Sequence, residues 1–328
     1  MPLNDRDLLL RLMAGPATGD VLARQAGLTR AAVWKRIAAL RSAGVDVRAQ
    51  PNRGYVLAQP LDLLDADAIR AGLPLAAQGS VAALEVAWSL DSTNSELLRR
   101  PLPQTGAMVL LAERQTGGRG RRGRSWTSPL AAHIYLSLAR SFTGGLARLS
   151  GLSLVAGVAT AEALRALGFS GVQLKWPNDL VVADGTGLRK LGGLLVEGGG
   201  EHAGPVRAVI GLGLNVRMPS ASAVDISQPW IDLGALTTQL APRNELVAAV
   251  LSHWLPALAA FDADGLAPFL DRYARLDALT DRDVTLQAPD GSARAARALG
   301  IADDGALRLR IDGRDERVHS GDVSVRAA

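Results

Sequence analysis

The sequence predicts an α+β multi-domain protein. An N-terminal winged helix-turn-helix is expected over 1–60, a central mixed α/β domain over 61–278, and a small C-terminal β-barrel over 279–328. Three observations carry that expectation. The first sixty residues read as three short helices and a hairpin, and they hold nine Lys/Arg against four Asp/Glu although the whole chain is only +4. The middle alternates apolar, strand-like runs with apolar helices, the pattern of a sheet covered by helices. From Thr280 the helical period stops, and short strands separated by Gly and Asp turns replace it.

Composition narrows the chemistry. With no cysteine and four histidines, the chain has no disulfide, thiolate nucleophile or cysteine metal cage, and a reducing cytoplasm is the simplest fit. No run of eighteen apolar residues occurs, and residues 1–12 carry Asp5 and Asp7. Both facts argue against a membrane span and a signal peptide.

In the front module, helices are expected at 5–13, at 19–26 behind a Thr18 cap, and at 30–42 behind a Thr29 cap. Val33, Ile37 and Leu40 share one face of the third helix, which leaves Arg30, Trp34 and Lys35 elsewhere. Val45 to Val47, the turn 51–54 and Tyr55 to Leu57 then form a wing carrying Arg48 and Arg53. Such a helix enters the major groove while the wing lies on phosphates. The DNA-contact candidates are Thr29, Arg30, Trp34, Lys35, Arg36 and Arg53. A helical dimerisation or capping module is the alternative.

A linker with a helix at 64–71 leads to a strand at 84–88 and the turn Asp91-Ser92-Thr93-Asn94. Ser92 or Thr93 caps a helix at 95–100. Hydroxyls and an amide at such a terminus also suit a polar ligand head group. Strands at 107–112 and 133–138 flank the stretch 113–126, ERQTGGRGRRGRSW. Gly118, Gly120 and Gly123 let backbone N–H groups approach a ligand closely. Arg119, Arg121, Arg122 and Arg124 offer planar charged forks for carboxylate and phosphate. Four like charges repel, so this loop is expected to be mobile until an anion arrives. A nucleic-acid patch remains an equal reading of these residues alone, and no P-loop is present.

After a core helix at 149–167, the run 172–183 (VQLKWPNDLVVA) places Lys175 in an apolar strand, where an unpaired ammonium is costly. Its head must snorkel to water or face an anion. Pro177-Asn178 breaks that strand and Asp179 follows. Lys190 opens the strand 188–197 and should point to the same rim as Lys175. A strand at 206–214 ends at Asn215, and a loop leads to Trp230, either a packed anchor or a stacking platform for adenine. Helices at 243–261 and 265–275 close the domain. Strands follow at 284–287, 295–301, 306–311, 316–319 and 323–326, with turns at Asp290-Gly291 and Asp304-Gly305.

The Ser92-Thr93-Asn94 turn, GRGRRGR (118–124), KWPND (175–179), RKLGG (189–193) and GLGLN (211–215) occur in this order between a winged helix-turn-helix and a terminal barrel. In this the chain resembles the bifunctional biotin–protein ligases that also repress the biotin operon. The resemblance implies a central domain of the biotin/lipoate ligase type. It implies biotin contacts from Ser92, Thr93, Asn94, Gln115, Arg119, Gly120, Arg121 and Lys190, with Lys190, Arg121 and Arg119 acting in catalysis. It implies ATP contacts from Arg121, Arg124, Lys175, Asn178, Asp179, Asn215 and Trp230, with Mg²⁺ on the phosphates and no protein-held metal site. The expected partners are the biotin carboxyl-carrier domain of a carboxylase, operator DNA, and a second copy when biotinyl-5′-AMP is bound. Three alternatives stay open: a ligase whose DNA module no longer regulates, a biotin-sensing repressor without catalysis, and a ligase for lipoate or octanoate.

Overall fold

The computed structural model describes residues 4–143, 145, 149, 151–200, 205–223, 226, 228–287, 292–320 and 324–327. The front module consists of α1 (Asp5–Met13), α2 (Gly19–Ala26), α3 (Arg30–Ser42) and the hairpin β1 (Val47–Gln50) with β2 (Gly54–Leu57). Both expected caps form: Thr18 accepts from the Val21 amide and Thr29 from the Ala32 amide. Leu8, Leu9, Leu12, Leu22, Val33, Ile37 and Leu40 make its core. The wing turns at Gly54, whose φ is +80°. A Cβ there would sit 2.4 Å from the Ala17 carbonyl oxygen, so only glycine lets the wing lie against the start of α2.

The linker helix α4 (Ala66–Ala71) starts later than expected, because Asp65 caps it and the Leu64 amide is drawn to Glu113 Oε1 at 2.6 Å. After α5 (Leu75–Gln78) come β3 (Val81–Ala87), α6 (Thr93–Arg99), β4 (Ala107–Ala112), β5 (Ile134–Phe142), α7 (Leu152–Ala166), β6 (Val172–Lys175), β7 (Asp179–Ala183), β8 (Leu188–Gly200) and β9 (Val206–Leu214). These seven strands form one sheet in the order β3-β4-β5-β9-β8-β7-β6. Only the β3–β4 pair, joined through α6, is parallel. The run 172–183 is therefore a hairpin rather than a kinked strand, and Pro177-Asn178 forms its turn.

The period of two sorts the side chains. Ile134, Leu136 and Leu138 of β5, with Ile210, Leu212 and Leu214 of β9, join the main core under α7 and α8 (Arg243–Asp264). The alternate residues face α6, where Leu97 packs on Leu110, Ala139 and Val209. By length and composition α8 could cross a bilayer. Here its Leu246, Val250, Trp254 and Leu258 are buried, and Trp254 donates to Thr160 Oγ1 of α7 at 2.8 Å. The helix expected over 265–275 is confined to α9 (Leu270–Ala274), behind a short 3₁₀ turn at Ala267–Phe269.

The terminal strands β10 (Asp283–Gln287), β11 (Ala293–Ile301), β12 (Leu307–Ile311), β13 (Arg314–Val318) and β14 (Ser324–Ala327) pair antiparallel in the order β13-β12-β11-β10-β14. Among the described residues no pairing joins β13 to β14, so the expected small barrel takes the form of a sheet. The Asp290-Gly291 turn and Val323 lie outside the described residues. This sheet docks on the central domain, where Trp176 Nε1 donates to the Gly305 carbonyl at 3.0 Å.

Candidate active site

The α6-side face of the central sheet is paved with glycine. Gly193 pairs with Gly213, and Leu195 pairs with Gly211. Both β9 glycines are needed for close approach: a Cβ on Gly211 would lie 2.3 Å from Asn94 Oδ1, and one on Gly213 would lie 2.6 Å from the Trp126 ring. The first turn of α6 walls this floor, and Ser92, Thr93 and Asn94 are all buried. Ser92 caps the helix. The Thr93 amide and hydroxyl donate to Gln115 Oε1 at 2.9 and 3.1 Å, and Gln115 Nε2 donates to Ser128 Oγ at 3.3 Å. Asn94 Nδ2 donates to the Leu195 carbonyl at 3.0 Å and to Glu197 Oε2 at 2.9 Å. Its Oδ1 accepts from Ser137 Oγ at 2.6 Å. Four of the sequence-derived candidates thus share one polar wall.

The glycine–arginine segment folds over this wall. Its stem closes where the Ala131 amide donates to the Glu113 carbonyl at 3.0 Å. Higher up, Trp126 donates to the Gly118 carbonyl at 2.9 Å and Gly120 to the Arg124 carbonyl at 2.7 Å. A Cβ on Gly118 would lie 2.6 Å from the Trp126 carbonyl oxygen. Partners offset part of the mutual repulsion among the loop's arginines. Arg119 reaches Glu197 at 2.9 Å and Ser95 Oγ at 3.0 Å. Arg121 donates to Asn178 Oδ1 at 3.2 Å and to the Ser320 carbonyl of the terminal sheet. Burial, followed by the nearby charge of Arg122, lowers the Arg121 pKa from its ordinary value. Arg124 is exposed at the loop's outer edge.

At the other end of the floor, Lys190 Nζ lies 2.8 Å from Asp179 Oδ1 and 5.5 Å from the centre of the Trp126 ring. Asp179 is also the backbone register partner of Lys175 across the β6–β7 hairpin. The Lys190 backbone pairs with the Trp230 segment through Pro229 and Ile231, each at 3.0 Å. Asn215 is buried and gives its amide hydrogens to the carbonyls of Ile231 and Lys190, at 3.1 and 3.4 Å. It therefore fixes the strip bearing Trp230 beside Lys190. The Trp126 indole N–H is buried without a partner among the described residues.

Residues 86–215 match the biotin/lipoate A/B protein ligase family, 5–56 an HTH domain, and 281–326 the biotin protein ligase C-terminal domain. The chain is 40% identical over 331 residues to the bifunctional ligase/repressor BirA of Escherichia coli, covering 99% of both chains. It belongs to the biotin/lipoate A/B protein ligase family. The Salmonella typhimurium BirA is 41% identical over 95% of this chain and 93% of its own. In fold, the chain resembles an Aquifex aeolicus biotin protein ligase solved with biotin and ATP. The TM-score is 0.64 and the identity 24%, over 75% of this chain and 100% of that one.

Within this family member the DNA-contact candidates lie on α3, at its cap and on the wing. Thr29, Arg30, Trp34, Lys35 and Arg53 are exposed, and Trp34 is 60% exposed. Arg36 is half-buried and reaches Asp5 at 2.7 Å, which ties α1 to α3. Sequence reading also missed Ser137, Trp126 and Glu197. Glu197 had a usable signal, because it is the single charge in the run 191–200, LGGLLVEGGG. Ser137 had none, since only the β5–β9 register sets it beside Asn94.

Proposed function

We propose that this chain is an ATP-dependent biotin–protein ligase that is also a DNA-binding repressor of biotin synthesis genes. The observation that carries the catalytic half is the convergence of Arg121, Lys190, Asn178 and Asp179 at one end of a glycine floor whose other end is the Thr93–Asn94–Gln115 wall. Ser92, Thr93, Asn94 and Gln115 take the polar ring of biotin, with Arg119 and Gly120 above it. A biotin carboxylate oxygen attacks the α-phosphorus of ATP, pyrophosphate leaves, and biotinyl-5′-AMP forms. An acceptor lysine amine, in the biotin carboxyl-carrier domain of a carboxylase, then attacks the acyl carbon. AMP leaves and the nitrogen loses a proton. No enzyme nucleophile is required. The protein must hold two repelling anions together and neutralise charge growing on phosphorus, which Lys190 and Arg121 supply.

Arg124, Lys175, Asn178 and Asp179 take the nucleotide's phosphates and sugar, and Trp230, positioned by Asn215, takes the adenine. Among the described residues no group of three His, Asp or Glu gathers to hold a metal. A magnesium ion would come with the triphosphate and would add to the neutralisation of its charge. Working boundaries at 60 and 278 separate the DNA module, ligase domain and terminal sheet. The absence of cysteine from the sequence supports a reducing, cytoplasmic location.

Regulation needs two DNA modules aligned on half-sites, hence a homodimer favoured by bound biotinyl-5′-AMP. Supporting this, residues 196–200 of β8 pair with β9 on one edge, and among the described residues no strand pairs with the other. Such an edge accepts another strand.

Incubation with ATP and biotin, lipoate or octanoate in turn tests the catalytic half: AMP ester and pyrophosphate are expected with biotin alone. Ester from the other acids but not from biotin contradicts it. Gel shifts with and without biotinyl-5′-AMP test the repressor half. Binding to no sequence in either state leaves a ligase only.

A further inference from the structure

Glu197 is a carboxylate set in an apolar and glycine-rich strand, a position that calls for partners. Its Oε2 lies 2.9 Å from Asn94 Nδ2 and 2.9 Å from Arg119 Nη2. One oxygen thus joins the wall beneath the pocket to the loop above it. Arg119 Nη2 also reaches Ser95 Oγ on α6 at 3.0 Å, so the guanidinium is aimed from two sides. We propose that Glu197 is a positioning residue for the ligase reaction: through Arg119 it holds the arginine loop closed over the pocket, and through Asn94 it keeps that lid in register with the wall. The inference rests on the biotin-ligase reading above.

The surroundings make the link exchangeable. The Arg119 side chain is 43% exposed and that of Glu197 24%, so water competes for both. The pair biases the loop towards closure without fixing it, and Arg119 can leave for an arriving anion. For a ligand that needs the closed state, the apparent Kd rises in inverse proportion to the fraction of molecules closed. Losing Glu197 therefore weakens capture of biotin and retention of the adenylate, while the closed, occupied site keeps its chemistry.

In the full chain, Glu197→Gln keeps the shape and an acceptor for Asn94 but gives up the ion pair. Glu197→Ala gives up both. Escape of preformed radiolabelled biotinyl-5′-AMP, chased with unlabelled compound, and KM for biotin are each expected to rise about threefold to fivefold in Glu197→Gln, the scale of a partly exposed ion pair. At saturating biotin, kcat is expected to stay within about twofold, because the transition-state contacts remain.

A double-mutant cycle decides the route. In an Arg119→Ala background, Glu197→Gln is expected to change escape no further. Equal effects in both backgrounds, or a fall in kcat with KM unchanged, overturn the proposal. Urea midpoints confirm that each variant is folded. A parent chain that makes no biotinyl-5′-AMP sinks the ligase reading itself. A parent that makes it, with escape unchanged in Glu197→Gln, sinks only this inference.

Discussion

Two arginine–carboxylate pairs hold the glycine–arginine loop, one at its stem and one over the pocket. Arg243 Nη2 lies 2.8 Å from Glu113 Oε2, and Arg119 Nη2 lies 2.9 Å from Glu197 Oε2. The distances are alike and the surroundings are not. The stem pair is 1% and 3% exposed, against 43% and 24% for the upper one. Arg243 also donates to the carbonyls of His133, at 3.0 Å, and Asp62, while the other Glu113 oxygen accepts the Leu64 amide. Burial raises the Glu113 pKa above its ordinary value, and the Arg243 charge offsets only part of that rise. The stem pair therefore joins the linker, the loop's root, β5 and α8 in one dry knot. The upper pair, still wet, can open. Burial rather than bond length separates an anchor from a latch.

The largest expected effect tests the anchor. Arg243→Met leaves Glu113 buried without its cation and should lower unfolding stability by about 3–5 kcal/mol, measured by urea denaturation. A loss under about 1 kcal/mol, the range of surface pairs, would erase the distinction between the two.

The same knot should respond to acid through His133. Its Nδ1 accepts the Val216 amide at 3.0 Å, and burial lowers its pKa to about 3. An unfolded histidine titrates near about 6.5. Between those values the unfolded chain takes a proton that the folded chain refuses, so stability falls as pH drops through that window. The slope approaches about 1.4 kcal/mol per pH unit, and the group has no effect well above pH 6.5. His133→Asn keeps an acceptor and should lose about 2 kcal/mol less between pH 6.5 and pH 5 than the parent. Parallel stability curves for the two would place the acid sensitivity elsewhere. The smallest effect belongs to the latch: Arg119→Ala should shift stability by less than about 1 kcal/mol while raising KM for biotin. A large drop in its urea midpoint would make it an anchor after all.

The same contrast explains what could be read from the sequence. The front helices fall at 5–13, 19–26 and 30–42 as expected, because Thr18, Thr29 and the Val33–Ile37–Leu40 spacing act within a few residues. The arginine loop, the Ser92–Asn94 turn and Lys190 were likewise visible as local composition. The stem pair was not, since 130 residues separate Glu113 from Arg243. The Arg36–Asp5 pair was equally hidden, because its two residues sit on different helices. Gly211 and Gly213 read as strand residues, and only the fold shows that they make room for Asn94 and the Trp126 ring. The hairpin over 172–183 was half legible, as a break whose direction the local sequence did not specify.

The central claim is that Lys190 and Arg121 meet at the phosphorus where biotin is activated. Single-turnover formation of biotinyl-5′-AMP, with both substrates saturating, tests it most directly. Lys190→Ala and Arg121→Ala, each still folded, should be slower by about two to three decades. Adenylate formed at the parental rate by either variant would contradict the account.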